Sequence, residues 1–234
     1  MEAFGLAIFM ISACFFTGLL EAKSSFIHQS IQNDFTRLVI IGLLMGATAL
    51  FIFYSRWTAP SGSHINPAVT LAFLRAGKIN KHDAFFYIIF QFIGGTLAVY
   101  LMQALMGNML TAAPVNSAVT VPGKDGTYAA FVTEIVIAFI MMTMVLFTST
   151  NNILKSYTRI IAGCMVCLYV IIAGPVSGFG MNPARSFASA LPANTWTDFW
   201  LYILSPIAGM MAATECFLFI QNLKKKKSNT TQLI

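Results

Sequence analysis

Asn66-Pro67-Ala68 and Asn182-Pro183-Ala184 are two copies of one tripeptide, each at the start of a short apolar stretch, 66–74 and 182–191. Asparagine is a preferred N-cap residue, and proline suits the first helical position because its missing N–H is not needed there. About nine residues of helix span roughly 14 Å, which is half of a bilayer. The sequence therefore predicts two half-length helices, each capped by its asparagine.

The tripeptides lie at corresponding places in two similar halves of the chain. The asparagines are 116 residues apart in a chain of 234, and residues 64–70 (HINPAVT) correspond to residues 180–186 (GMNPARS). Glu2 in the first half corresponds to Glu134 in the second. Short interrupted apolar segments at matching positions of two halves indicate a transport site.

The composition is that of a membrane protein. Hydrophobic residues make up 57% of the chain and charged residues 9%, whereas a soluble domain is about a quarter charged. Six apolar blocks approach the roughly 20 residues that a membrane helix needs; they are 3–20, 38–54, 84–105, 129–149, 160–175 and 199–220. Three spans per half is an odd number, so the halves insert in opposite orientations. We predict an all-α fold of six transmembrane helices and two half-helices in an inverted repeat.

The distribution of positive charge predicts the orientation in the membrane. The net charge is +6, and four lysines form one run, 224–227, directly after the last apolar block. The connections on the same side of the membrane as this run are also richer in basic residues, and cytoplasmic loops carry such an excess. We therefore expect both termini in the cytoplasm of a cell-membrane protein, a basic tail at 224–234, and no nucleic-acid partner.

The sequence offers no catalytic or metal-binding constellation. The four cysteines lie inside apolar blocks, and the CxxC at 164–167 has no second ligand pair, so they are interpreted as buried apolar residues. No nucleophile and base can be paired. The first apolar block starts at Met1 without a basic segment before it, so no cleavable signal is expected. We therefore expect that the protein is not an enzyme and that it binds no cofactor.

If both half-helices point inward, their N-termini meet near the middle of the bilayer, where irregular backbone is tolerated only beside a water-filled cavity. Each N-terminus carries about half a positive charge. The capping oxygens of Asn66 and Asn182 are engaged by the helices, which leaves both amide NH2 groups to donate to one central water. That water would point its own hydrogens away along the pore, which interrupts proton conduction, while the positive helix ends repel cations.

These features resemble the aquaporin (major intrinsic protein) family, and the resemblance covers essentially the whole chain. It is carried by the paired tripeptides, Ser-Gly-Ser-His at 61–64, Gly-Phe-Gly-Met at 178–181, Arg185, Glu134 and the segment 91–95 (QFIGG). The resemblance implies one domain over 1–234, with a first repeat at about 1–106 and a second at about 127–223. It also implies a homotetramer in which each subunit has its own pore.

The family's outer constriction, carried over without gaps from the two asparagines, falls on Gly46, Val170, Phe179 and Arg185. An arginine at membrane depth is costly unless it faces water and finds carbonyl partners. We expect Arg185 to donate to the permeating solute and to repel cations. Strict water channels of the family carry histidine at the position of Val170 and phenylalanine at that of Gly46.

The selectivity signals therefore conflict. Phe179 resembles the aromatic wall of glycerol channels, and 173–178 (AGPVSG) resembles the nodulin-26-like branch, whereas Ser186 and Ala190 are typical of water channels. The predicted function is a passive channel that conducts water and excludes protons and ions. Small neutral solutes are candidates to permeate it as well. The alternatives are a facilitator mainly for glycerol, urea or metalloid hydroxides, a structural membrane protein and an ion-coupled transporter.

Three further residues are predicted to hold the loops before the half-helices. Glu2 and Glu134 are expected to accept backbone N–H bonds, and His64 is expected to form a fixed hydrogen bond in its loop. A pH-dependent gate at His64 is the alternative.

Overall fold

The computed structural model describes residues 1–231, with side chains described as far as Lys224. Over this range all of the regular secondary structure is helical. The α-helices are α1 (Glu2–Glu21), α2 (Phe26–Ser30), α3 (Asp34–Tyr54), α4 (Pro67–Arg75), α5 (Lys81–Met106), α6 (Asn108–Thr111), α7 (Gly126–Thr150), α8 (Thr158–Ser177), α9 (Pro183–Ala193) and α10 (Phe199–Thr231). Short 3-10 turns lie at Ala59–Ser61, Asn116–Ala118 and Lys155–Tyr157.

The six predicted spans are confirmed as α1, α3, α5, α7, α8 and α10, each of which contains a segment long and apolar enough to cross a membrane. All of them except α10 begin before the predicted apolar blocks, and an asparagine caps the early starts of α3 and α5. The side chain of Asn33 accepts from the N–H of Thr36, and that of Asn80 accepts from the N–H of Asp83. The backbone of α10 stays helical into the predicted basic tail; the side chains of 225–234 lie outside the described residues.

The predicted inverted repeat is visible in the packing. In the first half α1 packs on α3 and α5, and in the second half α7 packs on α8 and α10. The half-helix α4 packs against α10 of the other half, and α9 packs against α5. The spanning helices α3 and α8 close the bundle across the two halves. This pattern places the half-helices between the two repeats.

Glycine permits the closest of these approaches. A Cβ on Gly94 of α5 would overlap the carbonyl oxygen of Ala3, and one on Gly209 of α10 would overlap that of Ile135. Because these two helix pairs correspond in the two halves, each repeat uses a glycine for the same contact. Small residues at such crossings let helix backbones pack closely in a bilayer.

Candidate functional site

The half-helices begin at the predicted caps. Asn66 precedes α4, and its Oδ1 accepts from the N–H of Ala68 at 2.8 Å. Asn182 precedes α9, and its Oδ1 accepts from the N–H groups of Ala184 at 3.0 Å and Arg185 at 3.2 Å. A proline follows each asparagine at the first helical position. Both sequence-predicted N-caps are therefore confirmed.

The amide groups of the two asparagines tie the half-helices together. Asn66 Nδ2 donates to the carbonyl oxygen of Met181 at 2.8 Å, and Asn182 Nδ2 donates to that of Ile65 at 2.7 Å. The sequence predicts that both NH2 groups are free to donate to a central water. The structure corrects this, because each NH2 group already donates one hydrogen bond within the protein. Each NH2 has two hydrogens, so one locks the opposite loop and one is left for another acceptor.

The loops before the half-helices hold a strained backbone conformation. Ser63 and Ile65 have φ of 51° and 44°, and Phe179 and Met181 have φ of 49° and 44°. Residues other than glycine rarely adopt this left-handed region, and each instance costs about 1–3 kcal/mol unless surrounding contacts hold it. The same two positions are strained in both halves, so the strain belongs to the repeated design of the loops.

Two buried carboxylates provide those contacts. Glu2 is 3% exposed and accepts from the hydroxyl of Ser61 at 2.6 Å, the N–H of His64 at 3.0 Å and the N–H of Ile65. It also accepts from Gln91 Nε2 at 2.7 Å. A carboxylate with several donors of this kind fixes the backbone that carries them.

Glu134 occupies the corresponding place in the second half. It is fully buried and accepts from the hydroxyl of Ser177 at 2.6 Å, the N–H of Gly180 at 2.8 Å and the N–H of Met181. Because Gly180 and Met181 belong to the strained stretch of backbone, this carboxylate holds the loop from which α9 begins.

His64 lies in a fixed position. Its Nδ1 is 3.2 Å from Thr70 Oγ1, and its ring stacks on that of Phe73 with the centroids 4.8 Å apart. The centroid of the Tyr87 ring is 5.3 Å from that of His64, in an edge-on arrangement. These contacts agree with a loop residue that has a fixed hydrogen bond.

A cavity of about 330 Å³ passes between the half-helices. One end is lined by Lys155, Thr158 and Arg159, and the other by Phe179 and Arg185, with Asn66 and Asn182 also on the wall. The remaining lining is mainly apolar and includes Phe9, Ala49, Phe53, Val69, Phe73, Met141, Val145 and Val166. Among the described residues, no aspartate or glutamate lines this cavity.

The structure places the four predicted constriction residues unevenly. Phe179 and Arg185 line the cavity, whereas Gly46 and Val170 do not. A Cβ on Gly46 would lie 2.8 Å from the Cβ of Cys167, so this position packs against α8. A filter role for Gly46 and Val170 stays a prediction.

Most wall residues are not among the site residues predicted from the sequence, and two of them lie one helical turn from the predicted constriction positions. Ala49 of α3 and Val166 of α8 line the cavity, three residues after Gly46 and four before Val170. Residues three or four apart share a helix face. Helical spacing from the expected positions could therefore have found them.

The guanidinium of Arg185 is short of partners. Its Nη1 is buried and has no hydrogen-bond partner among the described residues, in contrast to the carbonyl partners expected from the sequence. Leaving a buried charged group unpaired costs several kcal/mol. Arg185 also lines the cavity, so part of its side chain borders the space that a solute would occupy.

Six spanning helices and two opposed half-helices around a mainly apolar cavity define a membrane channel. The sequence matches the family described as major intrinsic protein over residues 2–217, and the chain belongs to this family. It is 32% identical over 232 residues to aquaporin NIP1-1 of Zea mays, covering 99% of this chain and 77% of that protein.

Further comparisons agree with this membership. Aquaporin NIP1-2 of Arabidopsis thaliana is 33% identical over 196 residues, which cover 82% of this chain and 66% of that protein. This chain thus spans just under two thirds of that relative's length. The X-ray structure of the aquaglyceroporin from Plasmodium falciparum superposes with a TM-score of 0.77 at 18% identity, covering 92% of this chain and 91% of that one. This likeness confirms the predicted fold.

Proposed function

We propose that the chain is a passive membrane channel that conducts water, admits small neutral solutes and excludes protons and ions. The observation that carries this proposal is the meeting of two half-helix N-termini, at Asn66 and Asn182, on the wall of one cavity. The described part of that wall offers no carboxylate, the group expected along the pathway of an ion-coupled transporter.

The proposed exclusion of protons follows from the donors on this wall. The second amide hydrogens of Asn66 and Asn182 donate to the oxygen of a passing water, which turns its own hydrogens outward along the pore. A chain of waters oriented in this way cannot relay a proton across its centre. The two helix ends contribute about half a positive charge each, which opposes any cation at the same point.

The proposed admission of neutral solutes follows from the apolar wall. Val166, Ala49 and the ring of Phe179 offer a small solute apolar contact, and Arg185 offers it hydrogen-bond donors. A facilitator mainly for glycerol, urea or metalloid hydroxides is the second candidate, and the lack of a side chain at Gly46 and the small apolar side chain of Val170 favour it.

Stopped-flow light scattering on proteoliposomes distinguishes these functions. An osmotic step with sucrose is expected to shrink the vesicles faster than empty liposomes, because water leaves through the cavity. A glycerol step then measures the re-swelling that solute passage would produce. Absence of re-swelling would identify a water-selective pore, and rapid re-swelling would identify the facilitator. Shrinkage no faster than in empty liposomes, from folded protein, would contradict the channel proposal.

The remaining assignments form part of the same proposal. Both termini lie in the cytoplasm, the protein resides in the cell membrane, and four copies assemble with one pore each. The Asn-Pro-Ala motifs line the centre of the pore, Gly46, Val170, Phe179 and Arg185 select the solute, and Glu2, Glu134 and His64 hold the loops. No catalytic residue, metal or cofactor takes part.

Val170 gives a direct test of the proposed constriction. Replacing Val170 by histidine is expected to lower glycerol permeability about fivefold or more relative to water, because the larger polar side chain narrows an apolar wall. The ratio of the two permeabilities in proteoliposomes measures the effect. Val170→Ile is the matched control, since it adds volume without polarity. An unchanged ratio in Val170→His would mean that this position lies away from the solute path.

A further inference from the structure

Three basic side chains surround the end of the cavity that lies opposite Arg185. Lys155 and Arg159 line the cavity directly. Lys78 Nζ donates to Ser149 Oγ at 3.3 Å and lies 5.6 Å from the ring centroid of Phe73. Ser149 and Phe73 are themselves lining residues, so all three cations border one opening. Lys78, Lys155 and Arg159 together are called the basic mouth.

Within the described part of the chain, the positive charge of the basic mouth is not neutralised by carboxylates. The ion pairs among the described residues join Arg37 to Glu21 and Asp34, and Arg75 to Glu215. None of these pairs involves the basic mouth, and no acidic side chain described in the structure lines the cavity. A cleft lined by one sign of charge with low-dielectric walls concentrates ions of the opposite sign.

The three cations come from different parts of the chain and converge by the fold. Lys78 lies in the connection between α4 and α5, Lys155 in the turn before α8, and Arg159 in the first turn of α8. Lys155 and Arg159 are four residues apart in a continuous helical stretch, so they lie on one side of it. Partial burial also lowers the pKa of the Lys78 ammonium, as expected for a cation that burial takes away from water.

The donors at the basic mouth match the acceptors of an oxyanion. The hydroxyls of Ser149 and Thr158 already donate to the Leu146 carbonyl and to Thr148 Oγ1, so the ammonium and guanidinium groups supply these donors. Phosphate oxygens accept several such bonds at once, and arginine binds them through two parallel N–H groups. Beyond the mouth the wall turns aromatic and apolar at Phe53 and Phe73, which offers nothing to replace the hydration of a multivalent anion. An anion drawn in would therefore stop at the opening.

We propose that the basic mouth binds a multivalent oxyanion of the phosphate type, which obstructs the path through the cavity. The obstruction rests on the proposed channel function, whereas the binding does not. A free phosphate compound and the headgroup of an anionic lipid present the same chemistry, and the experiment separates these two sources.

Binding is measured by isothermal titration of sodium tripolyphosphate into the purified full chain, with sodium chloride at equal ionic strength in both solutions. The double variant Lys155→Ala/Arg159→Ala is expected to bind about tenfold more weakly, because it loses two of the three cations. Lys124→Ala is the control, since Lys124 precedes α7 near the opposite end of α8. Equal affinity in wild type and double variant, or no binding to the wild type, would overturn the proposal.

Obstruction is measured as water flow in two sets of proteoliposomes. In phosphatidylcholine vesicles, tripolyphosphate on both sides is expected to slow the wild type about twofold or more, and about tenfold more tripolyphosphate is needed to slow the double variant equally. In vesicles containing phosphatidic acid, slow flow without any added anion would identify the lipid headgroup as the source.

Binding without slower flow in either vesicle set would overturn the obstruction. Flow no faster than in empty vesicles, before any anion is present, would instead contradict the channel function and leave the binding result standing.

Discussion

Replacing Glu134 by alanine is expected to abolish water conduction and to lower the thermal stability of the chain strongly. The carboxylate accepts from Ser177 Oγ, Gly180 N and Met181 N in a site with no exposure to solvent. Each buried donor left without an acceptor costs about 1–3 kcal/mol. The change also releases the left-handed conformations of Phe179 and Met181, so the start of α9 loses its fixed position.

Glu134→Gln separates loss of charge from loss of the acceptor. The glutamine oxygen can still accept two of these bonds, but its NH2 group then meets the third donor. We expect intermediate thermal stability and a partial loss of water flow. Glu215→Ala is the matched control, because Glu215 pairs with Arg75 while about half of each side chain is exposed, and such pairs contribute about 0–1 kcal/mol.

The readouts are the temperature of unfolding in detergent and the flow in proteoliposomes. If the Glu134→Ala variant has the same unfolding temperature and water flow as the wild type, the loop keeps its conformation without the carboxylate.

Much of this fold could be predicted because its signals are local. The apolar blocks and the caps Asn66 and Asn182 each depend on a few neighbouring residues, and a bilayer requires helices of set length. The spanning helices and half-helices in the structure follow these signals to within a few residues, except where α10 continues into the basic tail.

The bonds across the half-helices could not be predicted in the same way. Asn66 Nδ2 reaches the carbonyl of Met181 only because residues 179 and 181 adopt φ of 49° and 44°. That conformation is unfavourable locally. It depends on the carboxylate of Glu134, which accepts from two backbone N–H groups that lie 46 and 47 residues further along the chain. Sequence patterns record local preference, so they favour a different loop.

The extent of the cavity along α3 and α8 was likewise outside the reach of the pattern. Which residues face the cavity depends on how closely these helices approach at Gly42, Gly46 and Gly163. A Cβ on Gly46 would lie 2.8 Å from the Cβ of Cys167, so α3 packs closely on α8 at this level. Alignment by spacing selects Gly46 and Val170, which lie one helical turn from the lining residues Ala49 and Val166 on the same helix faces, and their filter role stays a prediction.

Replacing Arg185 by valine is expected to raise glycerol permeability about fivefold or more relative to water and to admit a measurable sodium leak. The side chain lines the cavity, and its buried Nη1 has no partner in the described part of the chain. Valine removes both the bulk that narrows the opening beside Phe179 and the charge. A unit charge about 4 Å from a passing cation opposes it by about 4 kcal/mol at an effective dielectric constant of about 20.

The sodium leak is expected to stay smaller than the gain in glycerol flow, because the N-termini of α4 and α9 still present about half a positive charge each. Arg185→Lys keeps the charge but loses the planar fork of donors, so it should raise glycerol flow while cations remain excluded. Arg75→Val is the control, since Arg75 lies at the far end of α4 and pairs with Glu215. Glycerol re-swelling and sodium flux in the same proteoliposomes measure both effects. If Arg185→Val has the same solute profile as the wild type, Arg185 does not select the solute. Phe179 would then be the one residue of the four predicted that lines the cavity and is still a candidate for selection.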